Sequence, residues 1–296
     1  MREQADAVQR MQDYIENHLD EPVTLRQLAS AAGYSPWHAT RLFRELTGIS
    51  PLEYLRARKL TRAAIRLRDE GGRVLDAALD AAFDSHEGFT RAFTGRFGIS
   101  PERYRKEAPP IRLFMPRSAR DCYLIENEGG ISHMENANMV FVQLIDRPAR
   151  KLIVQRAKKA TGYWEYCEEV GCDAEGILTS VKGALSEIMG LWMPPHLRPA
   201  GTSEYVMGIE VPADYAGPVP DGMEVIDLPA CPYLHFQGEP YKDEEMGQAC
   251  AALDHAFESY KPERIGWKWA DELGPTVQYA PMPERGCALA RPVVKA

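Results

Sequence analysis

The sequence has no long hydrophobic run. No stretch of its 296 residues approaches the ~20 consecutive apolar residues that a membrane-spanning helix needs. The amino terminus is polar and charged, which is unlike a secretory signal. We therefore expect a cytoplasmic protein with no membrane partner.

Cysteine is scarce and shows no metal-binding pattern. There is no Cys-x-x-Cys pair, and no cluster of histidine and cysteine has the spacing of metal ligands. This predicts reduced thiols, no metal site and no cofactor, with Cys167 and Cys172 as the closest pair and a redox-sensing pair as the minor alternative. The six cysteines are Cys122, Cys167, Cys172, Cys231, Cys250 and Cys287.

What the sequence does contain is an internal repeat within its first 110 residues. Residues 25–54 and 75–104 share twelve identities over thirty positions, where unrelated segments would share roughly two. Two copies of one structural unit are therefore expected. In the first copy the shared residues are Leu25, Ala31, Ala32, Ser35, Thr40, Arg41, Phe43, Gly48, Ile49, Ser50, Pro51 and Tyr54.

Each copy is predicted to be a helix, a short turn and a second helix. In the first copy Thr24 and Gln27 match a capping box, and Gly33 suits the left-handed position that ends a helix. Ser35 and Pro36 then begin the second helix. A helix from Pro51 to about Glu70 is expected to join the copies. The expected core positions of the second helices are Ala39, Leu42, Phe43 and Leu46, then Phe89, Ala92, Phe93 and Phe97.

The second helix of each copy leaves polar side chains outside its core stripe. Arginine can bond guanine in two places, and threonine can meet a phosphate or a thymine methyl group. Because the amino-terminal half of such a helix enters the major groove, these residues predict a DNA-reading surface. The candidates are Trp37, His38, Thr40, Arg41 and Arg44 in the first copy and His86, Glu87, Thr90 and Arg91 in the second.

Positive charge is concentrated in the same part of the sequence. Residues 24–106 hold 15 Lys and Arg against 9 Asp and Glu, although the whole chain has a net charge of −8. Basic residues attract the phosphate backbone, so double-stranded DNA is the expected partner of this region. A plain helical bundle with solvated arginines is the alternative, and the paired repeat argues against it.

Five motifs match a known family across residues 8–106. They are Ala31-Ala32-Gly33-Tyr34-Ser35, Arg41-Leu42-Phe43, Ala82-Phe83-Asp84-Ser85, Phe89-Thr90-Arg91-Ala92-Phe93 and Phe97-Gly98-Ile99-Ser100-Pro101-Glu102-Arg103-Tyr104-Arg105. The region resembles the AraC/XylS family of bacterial transcription regulators. The resemblance implies two recognition helices in successive major grooves, ~34 Å apart, and RNA polymerase as a further partner. A monomer or a homodimer fits this arrangement.

The second half of the chain alternates strand and helix patterns. Strands are expected at residues 139–145, 151–155, 205–211, 233–236 and 275–279, and helices at residues 175–189 and 244–260. Two rounds of strand, helix and strands predict an α+β domain with an antiparallel sheet. We place a helical domain at residues 1–108, a linker at 109–137 and the α+β domain at 138–296.

Aromatic and acidic residues are interleaved in this half. A carboxylate beside aromatic faces suits a cationic or planar ligand, through charge and cation–π attraction. Core packing of the tryptophans and solvation of the glutamates is the competing interpretation. The candidate effector-binding residues are Trp164, Tyr166, Glu169, Trp192, Tyr205, Glu210, Trp267 and Gln278.

Four further motifs match a second family. They are residues 201–211, residues 220–224, residues 236–240 and the closing Arg291-Pro292-Val293. Residues 139–295 resemble the GyrI-like effector-binding domain, which implies two pseudo-symmetric halves around a ligand cleft. Several relatives bind lipophilic cations through a buried glutamate on a late strand. Here Gln278 stands at that place, so an acid would have to come from Glu169, Glu210 or another residue.

The sequence thus predicts a multi-domain transcription regulator, not an enzyme, that binds DNA and a small-molecule effector, aromatic or cationic. Two alternatives concern the second half. It could hydrolyse a small electrophile, with Glu210 and Tyr205 or Trp164 in the catalytic roles. It could instead serve as a protein-interaction module.

Overall fold

The computed structural model describes residues 2–81, 83, 85–116, 118–120, 139–171 and 173–296. The chain divides into two compact units, Met1–Gly129 and Gly130–Ala296. Helices make up the first unit and the second is α+β with an antiparallel sheet, so the predicted fold class is confirmed. Most of the predicted linker, residues 121–137, lies outside the described residues, and the domain bounds stay a prediction.

The first unit contains seven helices among its described residues. The predicted caps form: the amide of Thr24 donates to Gln27 Oε1 at 2.8 Å, and Gly33 has a φ of 77°. Ser35 is the N-cap of the helix that follows. The helices are α1 (Arg2–Asn17), α2 (Leu25–Ala32), α3 (Pro36–Thr47), α4 (Pro51–Asp69), α5 (Val74–Asp80), α6 (His86–Phe97) and α7 (Pro101–Glu107).

Helix α4 contributes to two separate cores. Its first turns bury Tyr54 and Leu55 among residues of α1, α2 and α3. Its later turns bury Leu60, Ala64 and Leu67 among residues of α5, α6 and α7. Each helix-turn-helix unit therefore has its own core, and α4 is the element that both share. Ala82 and Asp84, which belong to a motif of the second sequence copy, lie outside the described residues.

The segment that follows α7 packs back onto this unit. Ile111 and Leu113 are buried in the second core, and Ala119 is buried in the first. The amide of Phe114 donates to Thr61 Oγ1 at 2.9 Å, and the amide of Ala119 donates to Gln12 Oε1 at 3.0 Å. The beginning of the predicted linker is thus bonded to α1 and α4.

One predicted core residue of α3 is wrong. Leu46 is 45% exposed, although Ala39, Leu42 and Phe43 are buried as expected. In α6 the predicted stripe is buried at Phe89 and Phe93 and half-buried at Ala92 and Phe97. Periodicity identifies the stripe that faces a core, but it does not show where along the helix the neighbouring helices stop covering that stripe.

The second unit contains nine strands and three α-helices among its described residues. The strands are β1 (Val140–Arg147), β2 (Arg150–Arg156), β3 (Met189–Trp192), β4 (Tyr205–Pro212), β5 (Glu224–Leu228), β6 (Cys231–Gly238), β7 (Trp267–Trp269), β8 (Thr276–Met282) and β9 (Gly286–Lys295). The helices are α8 (Tyr163–Val170), α9 (Asp173–Thr179) and α10 (Met246–Ser259).

The sheet has two matching halves. Its strand order is β1-β6-β9-β8-β3-β4-β2-β5, every described pairing is antiparallel, and β7 pairs with β9 off this path. The pairing of β3 with β8 joins the halves. Strand β2, helices α8 and α9, and strands β3 and β4 in one half correspond to β6, α10, β8 and β9 in the other. This is the predicted pseudo-symmetry.

The two faces of the sheet have different partners. On β4, Tyr205, Met207 and Ile209 pack with buried residues of α8 and α9. The alternate residue Val206 packs on the other face with Leu152 and Leu191. Helix α10 covers the first face in the second half, where Leu253 packs on β6 and β9. One face is therefore covered by helices in both halves.

The predicted helix at residues 175–189 is wrong in its second half. Helix α9 ends at Thr179, and residue 189 already begins β3. Gly183 has a φ of 81°, a left-handed conformation that a continuing helix does not contain. The apolar residues on both sides of this turn fit helical spacing, so the sequence pattern predicts one continuous helix. They are Ile177, Leu178, Val181 and Leu185.

The expectation of reduced cysteines is also wrong for one pair. Cys250 on α10 and Cys287 on β9 form a disulfide across 37 residues of sequence. Cys167 and Cys231 are free and buried. The distance between Cys250 and Cys287 along the sequence does not predict this disulfide, because only the packing of α10 on β9 brings the two residues together. Cys122 and Cys172 lie outside the described residues.

We predict that Gly208→Ala destabilises the second unit by about 1–3 kcal/mol. A Cβ at this position in β4 would lie 2.7 Å from Val154 Cγ1 and 2.8 Å from the carbonyl oxygen of Ile153. Since β2 is held by its pairing with β4, the carbonyl cannot move without disturbing the sheet. Urea unfolding followed by tryptophan fluorescence measures the effect, because four of the five tryptophans lie in this unit.

Gly247→Ala is the matched control. A Cβ at Gly247 meets nothing within 4 Å, and the residue lies in α10. Alanine favours a helix by about 1 kcal/mol over glycine, so this variant should be at least as stable as the parent chain. Equal stability of the two variants would contradict the close packing inferred at Gly208.

Candidate functional site

Helix α3 presents the first of the two candidate reading surfaces. The amide of His38 donates to the N-cap hydroxyl of Ser35 at 3.4 Å, and Pro36 occupies the first turn. Trp37 is 72% exposed, which is unusual for so large an apolar side chain. The guanidinium carbon of Arg41 lies 5.5 Å from the centroid of the Trp37 ring. Trp37 and Arg41 therefore contact each other on the exposed surface of the first half of α3.

The remaining candidates on α3 surround Trp37 and Arg41. His38 is half-buried and stacks on Tyr34 with ring centroids 4.5 Å apart. The hydroxyl of Thr40 donates to the carbonyl of Pro36 at 2.8 Å, which leaves its methyl group and remaining lone pair for an external partner. Arg44 is exposed one turn further along. All five predicted residues thus lie on one helix, outside its buried stripe.

Helix α6 presents the second surface with less basic charge. His86, Glu87 and Arg91 are exposed, and Thr90 is half-buried with no hydrogen-bond partner for its hydroxyl among the described residues. The carboxylate of Glu87 in the first turn places a negative charge where a phosphate would approach. Its surface is thus chemically different from that of α3.

The two helices have the same local geometry at both ends. Serine is the N-cap of each, at Ser35 and Ser85, and a left-handed glycine ends each, with φ 80° at Gly48 and 70° at Gly98. The repeated sequence therefore produces two helices of twelve residues each, with reading positions at matching places. The residues that differ between the two copies give α3 and α6 different exposed surfaces.

Four of the predicted effector residues come together on the helix-covered face of the sheet. The ring of Tyr205 lies 5.3 Å from that of Trp192 and 5.9 Å from that of Tyr166. The hydroxyl of Tyr205 donates to Gln278 Oε1 at 3.3 Å. Gly190 lies beneath this contact, and any Cβ there would collide with the Tyr205 hydroxyl. We call Tyr166, Trp192, Tyr205 and Gln278 the aromatic cluster.

The two other predicted tryptophans lie at different places. Trp164 is 42% exposed on α8, with its ring 4.8 Å from that of Tyr163. Trp267 on β7 is partly buried against the core that contains Phe236. Trp192 packs against the cores of both halves, so it lies where the halves meet.

Glu169 has a structural role. Its carboxylate accepts the amides of Lys158 at 2.6 Å, Lys159 at 3.0 Å and Ala160 at 3.1 Å. These hydrogen bonds hold the pKa of Glu169 below its ordinary value. The carboxylate of Glu169 therefore stabilises the loop between β2 and α8 and does not supply the acid of the predicted cation pocket.

Glu210 lies on the opposite face of the sheet and is 2% exposed. One carboxylate oxygen accepts from Arg150 Nε at 2.6 Å, and the other accepts from Arg147 Nη2. With two guanidinium groups on one carboxylate, Glu210 does not attract a cation. Because it lies five residues from Tyr205 on β4, the two side chains project to opposite faces. The predicted catalytic pairing of Glu210 with Tyr205 is therefore wrong.

A cavity of about 440 Å³ lies on the same face as Glu210, and none of the predicted effector residues lines it. Its position follows from strand register: Tyr233, His235 and Gln237 alternate along β6, opposite the small residues of β9. The sequence signal for this lining is the alternation of Tyr233, His235 and Gln237, of which the predicted strand at residues 233–236 contains the first two. The lining residues are Ile145, Arg147, Leu185, Ser186, Glu187, Tyr233, His235, Gln237, Tyr279, Ala280, Arg285, Gly286, Ala288 and Ala290.

Two absences hold for the part of the chain that is described. No helix there is long and apolar enough to cross a membrane. No group of three or more histidine, cysteine, aspartate and glutamate residues has an arrangement that could hold a metal ion.

Solved structures similar to this chain cover parts of it. The DNA-binding domain of AdpA in complex with a target DNA is 24% identical, covers 42% of this chain and 97% of its own, and has a TM-score of 0.33. A structure of SAV2435 bound to tetraphenylphosphonium is 17% identical, covers 52% of this chain and 94% of its own, and has a TM-score of 0.35.

Sequence comparisons place the similarity in the helical region. The family model described as helix-turn-helix domain matches residues 28–107. The right origin-binding protein of Escherichia coli K12 is 40% identical over 119 residues, which are 38% of this chain and 41% of that relative. The chain thus matches less than half the length of that relative.

A shorter relative is matched over most of its length. The multiple antibiotic resistance protein MarA of Salmonella typhimurium is 37% identical over 93 residues, which are 31% of this chain and 73% of MarA. Together with the two capped helix-turn-helix units and their exposed second helices, this similarity identifies the chain as a member of the AraC/XylS family of DNA-binding transcription regulators.

Proposed function

We propose that this regulator reads a specific DNA sequence by inserting α3 and α6 into successive major grooves. The observation that carries the proposal is the exposure of matching residues on two identically capped helices, with Arg41 on α3 and Arg91 on α6 at equivalent positions. An arginine on the first half of a recognition helix can bond a guanine edge in two places.

The helix between the units has a suitable length. Helix α4 has 19 residues, which corresponds to about 28 Å at 1.5 Å per residue. One turn of DNA advances ~34 Å, and a connecting helix of similar length suits two units that bind neighbouring turns. A single chain carries both units, and one protomer is therefore enough to occupy both grooves.

We predict that Arg41→Ala and Arg91→Ala each weaken specific DNA binding by about 1–3 kcal/mol. Each change removes base or phosphate contacts and leaves the buried stripe of its helix intact. The operator is first obtained by iterative selection from a random duplex pool with the full chain. Affinities for the selected site and for a scrambled site are then measured by fluorescence anisotropy at one fixed salt concentration.

Arg103→Ala is the matched control for these variants. Arg103 is an exposed arginine of α7 that pairs with Glu107 at 2.8 Å and lies outside both recognition helices. Its removal takes away the same charge and should change affinity for the selected site far less. If Arg41→Ala and Arg91→Ala bind as the control does, α3 and α6 are not the reading helices.

We also propose that the second unit binds a small, planar aromatic effector at the aromatic cluster. Trp192 is partly exposed at the junction of the two halves and stacks edge-on against the buried ring of Tyr205, and Trp164 is exposed on the neighbouring helix. Gln278 places an uncharged amide at this site. Aromatic surfaces with one polar group favour a flat ligand and do not require it to be charged.

Such a ligand regulates transcription only through a difference in affinity. It must bind the DNA-competent arrangement more or less tightly than the incompetent one, and the coupling is reciprocal. An effector that changes operator affinity tenfold must itself bind tenfold differently when the operator is present. This reciprocity separates a true effector from a compound that merely binds the second unit.

We predict that Trp192→Phe weakens binding of the planar probe phenazine by about threefold to tenfold, because the smaller ring loses stacking area. Phenazine is uncharged, and proflavine serves as its cationic counterpart. Dissociation constants for both are measured with the full chain, without DNA, by isothermal titration calorimetry.

Trp269→Phe is the control, since Trp269 packs with Phe236 and Phe257 in the core of the second half. Equal loss of affinity in both tryptophan variants would indicate a general effect on folding and would remove the support for the aromatic cluster. Unchanged phenazine affinity in Trp192→Phe would do the same.

A further inference from the structure

We propose that the cavity beside Glu210 is a second ligand site, for a small organic carboxylate with a flat apolar body. We call it the sheet-face cavity; it is the 440 Å³ space lined by β1, β6, β8, β9 and the loop before β3. The proposal is independent of the aromatic cluster, which lies on the opposite face of the same sheet.

The floor of the sheet-face cavity is open because β9 carries small residues there. Ala288 and Ala290 face the cavity, and their register partners on β6 are Gln237 and His235. Tyr279 is the partner of Ala288 on β8 and forms a wall on the other side. A strand of small residues between two strands of large ones produces a trough in the sheet.

Positive charge exceeds negative charge at this trough. The guanidinium groups of Arg147 and Arg150 share the single carboxylate of Glu210. At the rim, Arg285 pairs with Glu187 at 2.9 Å. These three guanidinium groups and two carboxylates sum to one positive charge, and Arg147, Arg285 and Glu187 are the members of this group that line the cavity.

One guanidinium nitrogen of Arg147 and one of Arg150 have no hydrogen-bond partner among the described residues. These nitrogens, Arg147 Nη1 and Arg150 Nη2, are buried. A buried donor without a partner is costly, and charged donors are the costliest. Arg147 lines the cavity, and a carboxylate is the natural partner for a guanidinium because its two oxygens match two N–H groups.

The neighbouring side chains add no compensating negative charge. Burial and the nearby Arg147 lower the pKa of His235, so the imidazole is neutral at pH 7. Burial raises the pKa of Tyr279, which stays a neutral phenol. A cationic ligand would therefore meet Arg147 without a free carboxylate to balance it, whereas an anion meets the net positive charge.

The walls favour a flat apolar body behind the anionic group. The rings of His235 and Tyr279 lie 5.3 Å apart and tilted, and the aliphatic side chains of Ile145 and Leu185 complete the rim. Ser186 is fixed in place because its hydroxyl accepts the amide of Glu210 at 3.0 Å. Apolar walls with a few convergent polar groups are typical of sites for small organic molecules.

The test uses three probes of one shape and different charge: 2-naphthoate, its neutral amide 2-naphthamide, and the cation 2-naphthylmethylammonium. Each is titrated into the full chain by isothermal titration calorimetry. We expect 2-naphthoate to bind at least tenfold more tightly than the amide and the cation to bind most weakly.

Two rim variants change the charge in opposite directions. Arg285→Gln removes a positive charge and should weaken 2-naphthoate binding by about threefold to tenfold. Glu187→Gln removes a negative charge and should strengthen it. Each charge acts largely on its own, because both side chains are more than half exposed and their ion pair is screened by solvent. Arg264→Gln, an exposed arginine that does not line the cavity, is the control and should leave the affinity unchanged.

A third variant tests the location. Ala288→Leu fills the trough and should abolish 2-naphthoate binding, while Trp192→Phe at the aromatic cluster should not change it. A loss in Trp192→Phe with retention in Ala288→Leu would assign the anion to the aromatic cluster and overturn the proposal. Equal affinity for the three probes, or preference for the cation, would overturn it as well, and none of these outcomes bears on the phenazine site.

Discussion

The division of α3 and α6 into a buried and an exposed stripe is the constraint on which the proposed DNA reading depends. Ala39, Leu42 and Phe43 hold α3 against its neighbours, and Phe89 and Phe93 hold α6. With these residues fixed, helical geometry leaves Arg41 and Arg91 on the solvent side. In each of these twelve-residue helices, the packing residues and the proposed DNA-reading residues therefore occupy different positions.

An equivalent constraint in the second unit is the alternation of side chains across the sheet. It places Tyr205 among the helices and Glu210 among the arginines of the opposite face, although both belong to β4. The unit consequently offers two chemically distinct environments, one aromatic and uncharged, the other positively charged.

Local signals in the sequence were sufficient for the helical unit. Capping residues, glycines and the repeat predict α2, α3, α4 and α6, since each signal acts within a few residues of the element that it controls. The second unit depends on long-range pairing. The disulfide of Cys250 with Cys287 and the ion pairs of Glu210 with Arg147 and Arg150 each join residues far apart in sequence. No periodicity reports such contacts, so the sheet-face cavity was missed.

The shared helix α4 fixes the rotation of one helix-turn-helix unit, with α3, relative to the other, with α6. Because it is buried in one core at Tyr54 and in the other at Leu67, an inserted residue would rotate one helix-turn-helix unit about 100° relative to the other, as an α-helix has 3.6 residues per turn. The two would then face different sides of a duplex. A single-residue insertion in α4 therefore changes the relative orientation of the two helix-turn-helix units, whereas an insertion in a surface loop does not.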